Sequence, residues 1–257
     1  MQLSDHLIVQ SQYANSTRLE TRISIHEKYS RNQQPFGDWI CSHYSLKPGH
    51  HVLEIGCGTG SMWANVRPPE DCHVKLTDLS PGMLETAKVN TAHLKASYVV
   101  CDAMSLPFED NTFDIVIANM MLYHVPDIAQ ALKEIRRVLK PEGRFYAATF
   151  GEHGAVEAIL AMLELPCSVN HRFTLQNGHA QLAPYFQQVE LYTREDALDI
   201  TNLNDLIAYL RSMSGMTVLA DIPDKRLLDV FSLHTKNGVL SLPKEYGLFH
   251  CSGLKDG

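Results

Sequence analysis

Between residues 52 and 60 the chain reads Val52-Leu53-Glu54-Ile55-Gly56-Cys57-Gly58-Thr59-Gly60, an apolar run carrying one acid, then glycine at every second position. Glycine tolerates positive φ and has no Cβ, so such a loop turns sharply and lets a ligand come close to the backbone. A strand running straight into such a turn predicts a ligand-contacting loop at a strand's carboxyl end.

Four further runs bounded by turn residues read as strands: Val74 to Asp78, Ser97 to Cys101, Asp114 to Ala118 and Arg144 to Ala148. Helical signals fall between some of them. Ser80-Pro81 places a capping hydroxyl before a proline at the first helical position. Asp127 opens a stretch with Ile128, Leu132, Ile135 and Leu139 on one face, which Lys140-Pro141-Glu142-Gly143 is expected to stop. Strands alternating with crossover segments predict an α/β fold, a doubly wound and mostly parallel sheet that binds ligands at its carboxyl edge.

After residue 150 the rhythm changes. Gly154 to Leu165 reads as helix, Gln188 to Tyr192 as strand, 203–213 and 223–236 as helices, and Tyr246 to Ser252 as a closing strand. The expected organisation is an N-terminal helical cover over 1–48 and a binding domain over 49–257. Within that domain the core is 49–150, and 151–257 supplies final strands with a helical insertion.

A chain of 257 residues can bury one sizeable α/β core with about a hundred residues left over. The start, Met1-Gln2-Leu3-Ser4-Asp5-His6, lacks the basic and apolar pattern of a signal peptide, and no apolar run is long enough to span a bilayer. A cytoplasmic protein is expected. Six cysteines without a Cys-x-x-Cys pair suit free thiols better than a zinc site, so no metal is expected. A net charge of −7 without a long basic cluster weighs against a nucleic-acid partner.

Spacing separates two readings of the glycine loop. A dinucleotide fingerprint needs Gly-x-Gly-x-x-Gly, whereas here the third glycine comes one residue early, at Gly60, and Ser61 stands where that motif needs glycine. Glu54, two residues before the first glycine, would repel a pyrophosphate but favours a ligand with a positive sulfonium and amino group. Asp78, closing the second strand, can accept hydrogen bonds from both hydroxyls of a ribose, and Asp102, just past the third, can receive an adenine amino group. Carboxylates at three successive strand tips predict one shared crevice.

These blocks, with Asp78-Leu79-Ser80-Pro81-Gly82-Met83-Leu84, Cys101-Asp102-Ala103, Leu106-Pro107-Phe108, Phe113-Asp114 and Leu139-Lys140-Pro141-Glu142-Gly143-Arg144, resemble the successive signature blocks of class I methyltransferases. The likeness is to the small-molecule branch related to ubiquinone and menaquinone biosynthesis methyltransferases, over roughly residues 48–150. It implies a Rossmann-like, seven-stranded sheet with the seventh strand antiparallel, and S-adenosylmethionine as cofactor with S-adenosylhomocysteine as product. By the same likeness Gly56, Gly58 and Gly60 line the methionine part, with Cys57 a small packing residue of that cofactor-binding loop, Asp78 holds the ribose, Asp102 and Ala103 frame the adenine, Leu79 and Met83 pack beside it, and Asn119 lies near the sulfonium. In such relatives N-terminal helices cover the cofactor, which implies Tyr29 and Arg31 close to it.

Methyl transfer is an in-line displacement, and many such enzymes need only a base beyond good alignment. His124, following the fourth strand, is the leading candidate, with Tyr123 beside it. His153 and His171 are weaker candidates, and the bland alternative is a His124 that merely caps or packs. Asn119-Met120-Met121-Leu122 departs from the Asn-Pro-Pro-Tyr block of many amide and adenine N-methyltransferases, so a small-molecule acceptor is the expected partner. Three other readings stand behind it: a cofactor-binding protein without turnover, an RNA methyltransferase, and an NAD-dependent dehydrogenase.

Overall fold

The computed structural model describes residues 24–166, 170–213 and 217–255. Residues 1–23, about half of the expected N-terminal cover, and Cys167 lie outside the described residues. The elements in chain order are α1 Phe36–Ser42, β1 His51–Ile55, β2 His73–Asp78, α2 Pro81–Asn90, β3 Ala96–Val100, β4 Phe113–Asn119, α3 Ile128–Val138 and β5 Leu139–Phe150. They are followed by α4 Ala155–Met162, α5 Gly178–Leu182, β6 Phe186–Ile200, α6 Leu203–Ser212, α7 Asp224–His234 and β7 Leu240–Leu254. The sheet has seven strands in the order β3-β2-β1-β4-β5-β7-β6. The neighbours β3, β2, β1, β4 and β5 all pair in parallel.

The chain divides into two compact units. One holds 34–150, 171–193 and 247–257, and the other holds the described parts of 1–33, 151–170 and 194–246. Strands β6 and β7 each contribute to both.

In the first unit, alternation along buried strands sorts side chains into two cores. Leu53, Ile55, Val116, Ala118, Phe145 and Ala147 belong to one, whereas Val52, Ile115, Ile117, Tyr146 and Ala148 belong to the other. Successive residues of a strand point to opposite faces, so both faces of this sheet are covered, as parallel strands require. Helix α3 buries Ala131, Leu132, Ile135 and Val138 and is capped by Asp127, whose carboxylate accepts from Gln130 N–H at 2.9 Å. Helix α2 starts as its sequence predicts, with Ser80 as cap and Pro81 first.

One expected feature differs. Lys140 to Gly143 do not form a stop between helix and strand; they lie inside β5, where the register jumps from Phe113↔Leu139 to Ile115↔Arg144. The surplus residues form a bulge. Pro141 has no N–H for a ladder, and a Cβ on Gly143 would sit 2.7 Å from Leu139 Cδ1, so this sequence suits an irregularity in a strand.

The second unit packs α4, α6, α7, a helical stretch over 24–29 and parts of β6 and β7 around Ile25, Ile159, Leu160, Leu198, Leu206, Leu227, Phe231 and Leu242. Here β6 runs on through Thr193-Arg194-Glu195-Asp196, beyond the expected strand Gln188 to Tyr192. It continues because Arg194, Asp196 and Lys244 are buried together: Lys244 Nζ lies 2.8 Å and Arg194 Nη1 3.5 Å from Asp196 Oδ2. Among the described residues no helix is long and apolar enough to cross a membrane.

Candidate active site at the carboxyl edge of the sheet

The strand order reverses between β1 and β4, which is where an open α/β sheet leaves a crevice at its carboxyl edge. Ile55 pairs with Thr77 and Asp78 with Val100, so the ends of β1, β2 and β3 stand side by side. The glycine loop leaves β1 through Gly56, Gly58 and Gly60, at φ 65°, 55° and 72°. Left-handed backbone at three alternate positions explains the glycine spacing directly. The loop is tied down by Cys57 N–H donating to Thr77 O at 2.8 Å and Gly60 N–H to Cys57 O at 2.9 Å.

The glycines differ in their surroundings. A Cβ on Gly60 would come within 2.8 Å of Thr91 Cγ2, and one on Gly56 within 2.9 Å of Met121 Cβ, whereas one on Gly58 would meet nothing within 4 Å. Gly58 therefore borders open space. Its N–H donates to Asp78 Oδ2 at 2.9 Å, while Asp78 Oδ1 accepts from Ser80 N–H at 2.8 Å. Burial raises the Asp78 pKa above its usual value, and hydrogen bonds from Ser80 and Gly58 oppose that rise. Asp102, half-buried beyond β3, uses Oδ1 to accept from Met104 N–H at 2.9 Å. Leu79 is half-buried beside Asp78, while Met83 and Ala103 are buried.

Glu54 is placed differently from the expectation of a carboxylate facing the ligand. It is 1% exposed, and both oxygens are engaged inside the protein: Trp63 Nε1 donates to Oε2 at 2.5 Å and Asn119 Nδ2 to Oε1 at 2.8 Å. The Tyr44 hydroxyl donates to Asn119 Oδ1 at 3.0 Å, extending the buried network. A carboxyl group this deep cannot stay unpaired, and the strand supplies no donor on that face, so side chains from elsewhere must. Burial pushes its pKa up to about 7 against the hydrogen bonds from Trp63 and Asn119, and Asp78 adds to the rise. Of the three carboxylates, Asp78 and Asp102 border the edge and Glu54 holds the wall behind it. Sequence reasoning missed Trp63 and Tyr44; the acid in the middle of a buried run was the signal that donors were needed.

Cys57 contributes backbone only. Its side chain packs in the core, and burial, with Glu54 and Asp78 nearby, raises its thiol pKa far above the usual range. Asn119 ends β4 with its amide held by Tyr44 and Glu54. The chain then passes through Met120 at φ 53° into a turn over Leu122–His124, where Leu122 is buried. The Tyr123 and His124 rings lie 4.4 Å apart, and Tyr123 lies 4.7 Å from Phe150.

Tyr29 and Arg31 belong to the other unit. There the Tyr29 hydroxyl donates to Asp205 Oδ2 at 2.6 Å, and Arg31 makes a two-point contact with Asp199 at 2.8 and 2.9 Å. His153 lies in that unit with its backbone N–H on Glu245 Oε2 at 2.8 Å, and His171 is half-buried in the first unit with its carbonyl accepting from Asn177 Nδ2 at 2.7 Å. Among the described residues no group of three His, Cys, Asp or Glu could hold a metal ion.

Comparison with known proteins bears on the same stretch. The methyltransferase domain family matches residues 53–147. Demethylmenaquinone methyltransferase of Staphylococcus haemolyticus is 43% identical over 101 residues, 38% of this chain and 42% of that protein, so the chain spans less than half of that relative's length. Among solved structures, the cyclase SpnF shares the fold with a TM-score of 0.60 at 19% identity, over 98% of this chain and 97% of its own. A protein of Bacillus halodurans titled as a methyltransferase gives a TM-score of 0.58 at 18% identity, over 86% of this chain and 99% of its own. Residues 53–147, which carry the glycine loop and the strand-tip acids, are thus similar to the methyltransferase domain family.

Proposed function

We propose that the chain binds S-adenosylmethionine along the carboxyl edge of its sheet and transfers the methyl group to a small-molecule acceptor, leaving S-adenosylhomocysteine. The observation that carries this reading is the junction of Gly58 and Asp78: open space over a left-handed glycine, whose N–H fixes the carboxylate beside it. A side chain at position 58 would project into that cradle, and a fixed carboxylate at its rim suits a pair of ribose hydroxyls. Bound there, the cofactor supplies a methyl group on a positively charged sulfur.

The sheet order supplies the layout. Asp102 stands beyond β3 to accept the adenine amino group, Asp78 at the tip of β2 accepts the ribose hydroxyls, and Gly58 beyond β1 leaves room for the methionine portion, next to Gly56 with Met121 packed over it. Leu79 and Met83 offer apolar contact for the base. That order brings the reacting end toward β4, the strand that leads into Met121, Tyr123 and His124. His124 is the candidate base for the acceptor's proton, with Tyr123 beside it.

Two measurements test it. S-adenosylhomocysteine at a hundred times its dissociation constant should stabilise the protein by about 2.7 kcal/mol, and NAD should not. Asp78→Ala should weaken that binding about a hundredfold, since hydrogen bonds to a charged group contribute roughly 1.5–3 kcal/mol each. A shift with NAD alone, or undiminished affinity in Asp78→Ala, would overturn the assignment. For the base, His124→Gln should lower turnover of labelled cofactor with a metabolite extract by about 10²- to 10⁴-fold while leaving S-adenosylhomocysteine affinity in place. Unchanged turnover would remove His124 from the chemistry.

A further inference from the structure

Met120 is one of five non-glycine residues with positive φ among the described residues. The left-handed region is uncommon for a side chain of this size and strained when it persists. It persists here because the turn is fixed from both ends. Met120 N–H donates to Ala148 O at 2.9 Å, His124 N–H to Met121 O at 2.9 Å and Val125 N–H to Leu122 O at 3.0 Å. Leu122, 1% exposed, anchors the turn in the core.

That turn sends Met121 back over the first glycine. A Cβ on Gly56 would lie 2.9 Å from Met121 Cβ, 3.0 Å from Cγ and 3.2 Å from Cε, so Met121 lies along Gly56 for its whole length. Two residues on, Gly58 borders open space. The space over the loop is thus open at Gly58 and closed at Gly56, and Met121 is what closes it. No other side chain is among the three nearest atoms there.

The geometry points to Met121 as a specificity-determining residue, a wall beside Gly56 that admits a methyl-sized alkyl group at the sulfonium end of the ligand and excludes larger ones. This rests on the proposed cofactor layout, in which the reacting end lies toward β1 and β4. Methionine is an unbranched gap-filler, so truncating it opens room without disturbing the buried anchors Asn119 and Leu122.

The test compares binding of S-adenosyl-L-methionine with that of its S-ethyl homologue, S-adenosyl-L-ethionine, by calorimetry. One extra carbon against a fitted apolar wall costs about tenfold or more in affinity, so the wild-type protein should prefer the methyl ligand by at least that factor. Met121→Ala should remove most of that preference by improving affinity for the ethyl ligand, and Met121→Leu, close in volume, should keep it. Met121→Val, a milder truncation, covers the case in which alanine destabilises the turn. A preference unchanged in both truncations, or a wild-type protein that does not discriminate, overturns the inference while leaving the cofactor reading intact. Binding of neither ligand by the wild-type protein overturns both. Asp78→Ala should weaken both ligands alike and leave their ratio unchanged.

Discussion

Trp63→Ala is expected to cost roughly 3–5 kcal/mol of folding free energy, enough to leave a single domain marginal or unfolded at ambient temperature. Trp63 is fully buried in the core containing Val52, Leu76, Leu84 and Ile117. Its indole N–H is also one of two donors to the buried Glu54 carboxyl group. Alanine would leave a large cavity and an acceptor without its donor, two costs that add at one place. Trp63→Phe separates them. It keeps most of the volume and removes only the donor, so it should cost about 1–3 kcal/mol, the penalty for a buried polar group left unsatisfied. Chemical denaturation with both variants checks this, and a phenylalanine variant as stable as wild type would show that the bond to Glu54 contributes nothing net.

The same network makes stability depend on pH in a stated direction. Glu54 in the folded protein holds its proton up to about 7, above the 4.5 usual for a glutamate. A group whose folded pKa is raised contributes stability that is fully present below its unfolded value and lost as pH rises through its folded one. Stability should therefore fall between about pH 4.5 and 7, by on the order of 3 kcal/mol from this one group. Glu54→Gln, which cannot ionise, should flatten that part of the profile. A wild-type profile already flat across the interval would sink the argument.

Strands β1 to β4 and helices α2 and α3 were legible because each carries strong punctuation, and the glycine spacing and the acids at 78 and 102 lie in contiguous motifs. The network around Glu54 was not, because its donors come from pieces that local pattern does not connect. Tyr44 lies just after α1, Trp63 follows the glycine turn, and Asn119 ends β4. In the sequence Glu54 reads as a charge for the ligand, whereas Trp63 and Asn119 hold it, with Tyr44 behind Asn119. The placement of Met121 over Gly56 was hidden for another reason: it depends on Met120 adopting a backbone conformation that its side chain disfavours, so local propensity points the wrong way. Strands β6 and β7 run past the expected stretches Gln188 to Tyr192 and Tyr246 to Ser252, because charge interrupts the apolar pattern at Arg194, Asp196 and Lys244, which pair with one another in the interior.

That buried group carries the other large expected effect. Asp196→Ala should destabilise the protein by about 3–5 kcal/mol, the range for breaking a buried ion pair from one side. The Asp196, Arg194 and Lys244 side chains are 1%, 2% and 5% exposed. Burial works to raise the Asp196 pKa, but the Lys244 ammonium and the backbone N–H groups of Asn32 and Ala197 outweigh it and hold the carboxyl below its usual value. Burial lowers the pKa of Lys244, and the bond to Asp196 opposes that. Removing the carboxylate leaves Lys244 with the Ser30 hydroxyl at 2.6 Å and no neutralising charge at that contact. The ammonium must then shed its proton or draw in water, and either response loosens the interior where β6 and β7 meet the 24–33 segment. Lys244→Met in the Asp196→Ala background distinguishes a stranded charge from lost packing. If the stranded ammonium dominates, the double variant should recover a substantial part of the loss; if it is no more stable than Asp196→Ala alone, the cost lies instead in the amides of Asn32 and Ala197 that the carboxylate had satisfied.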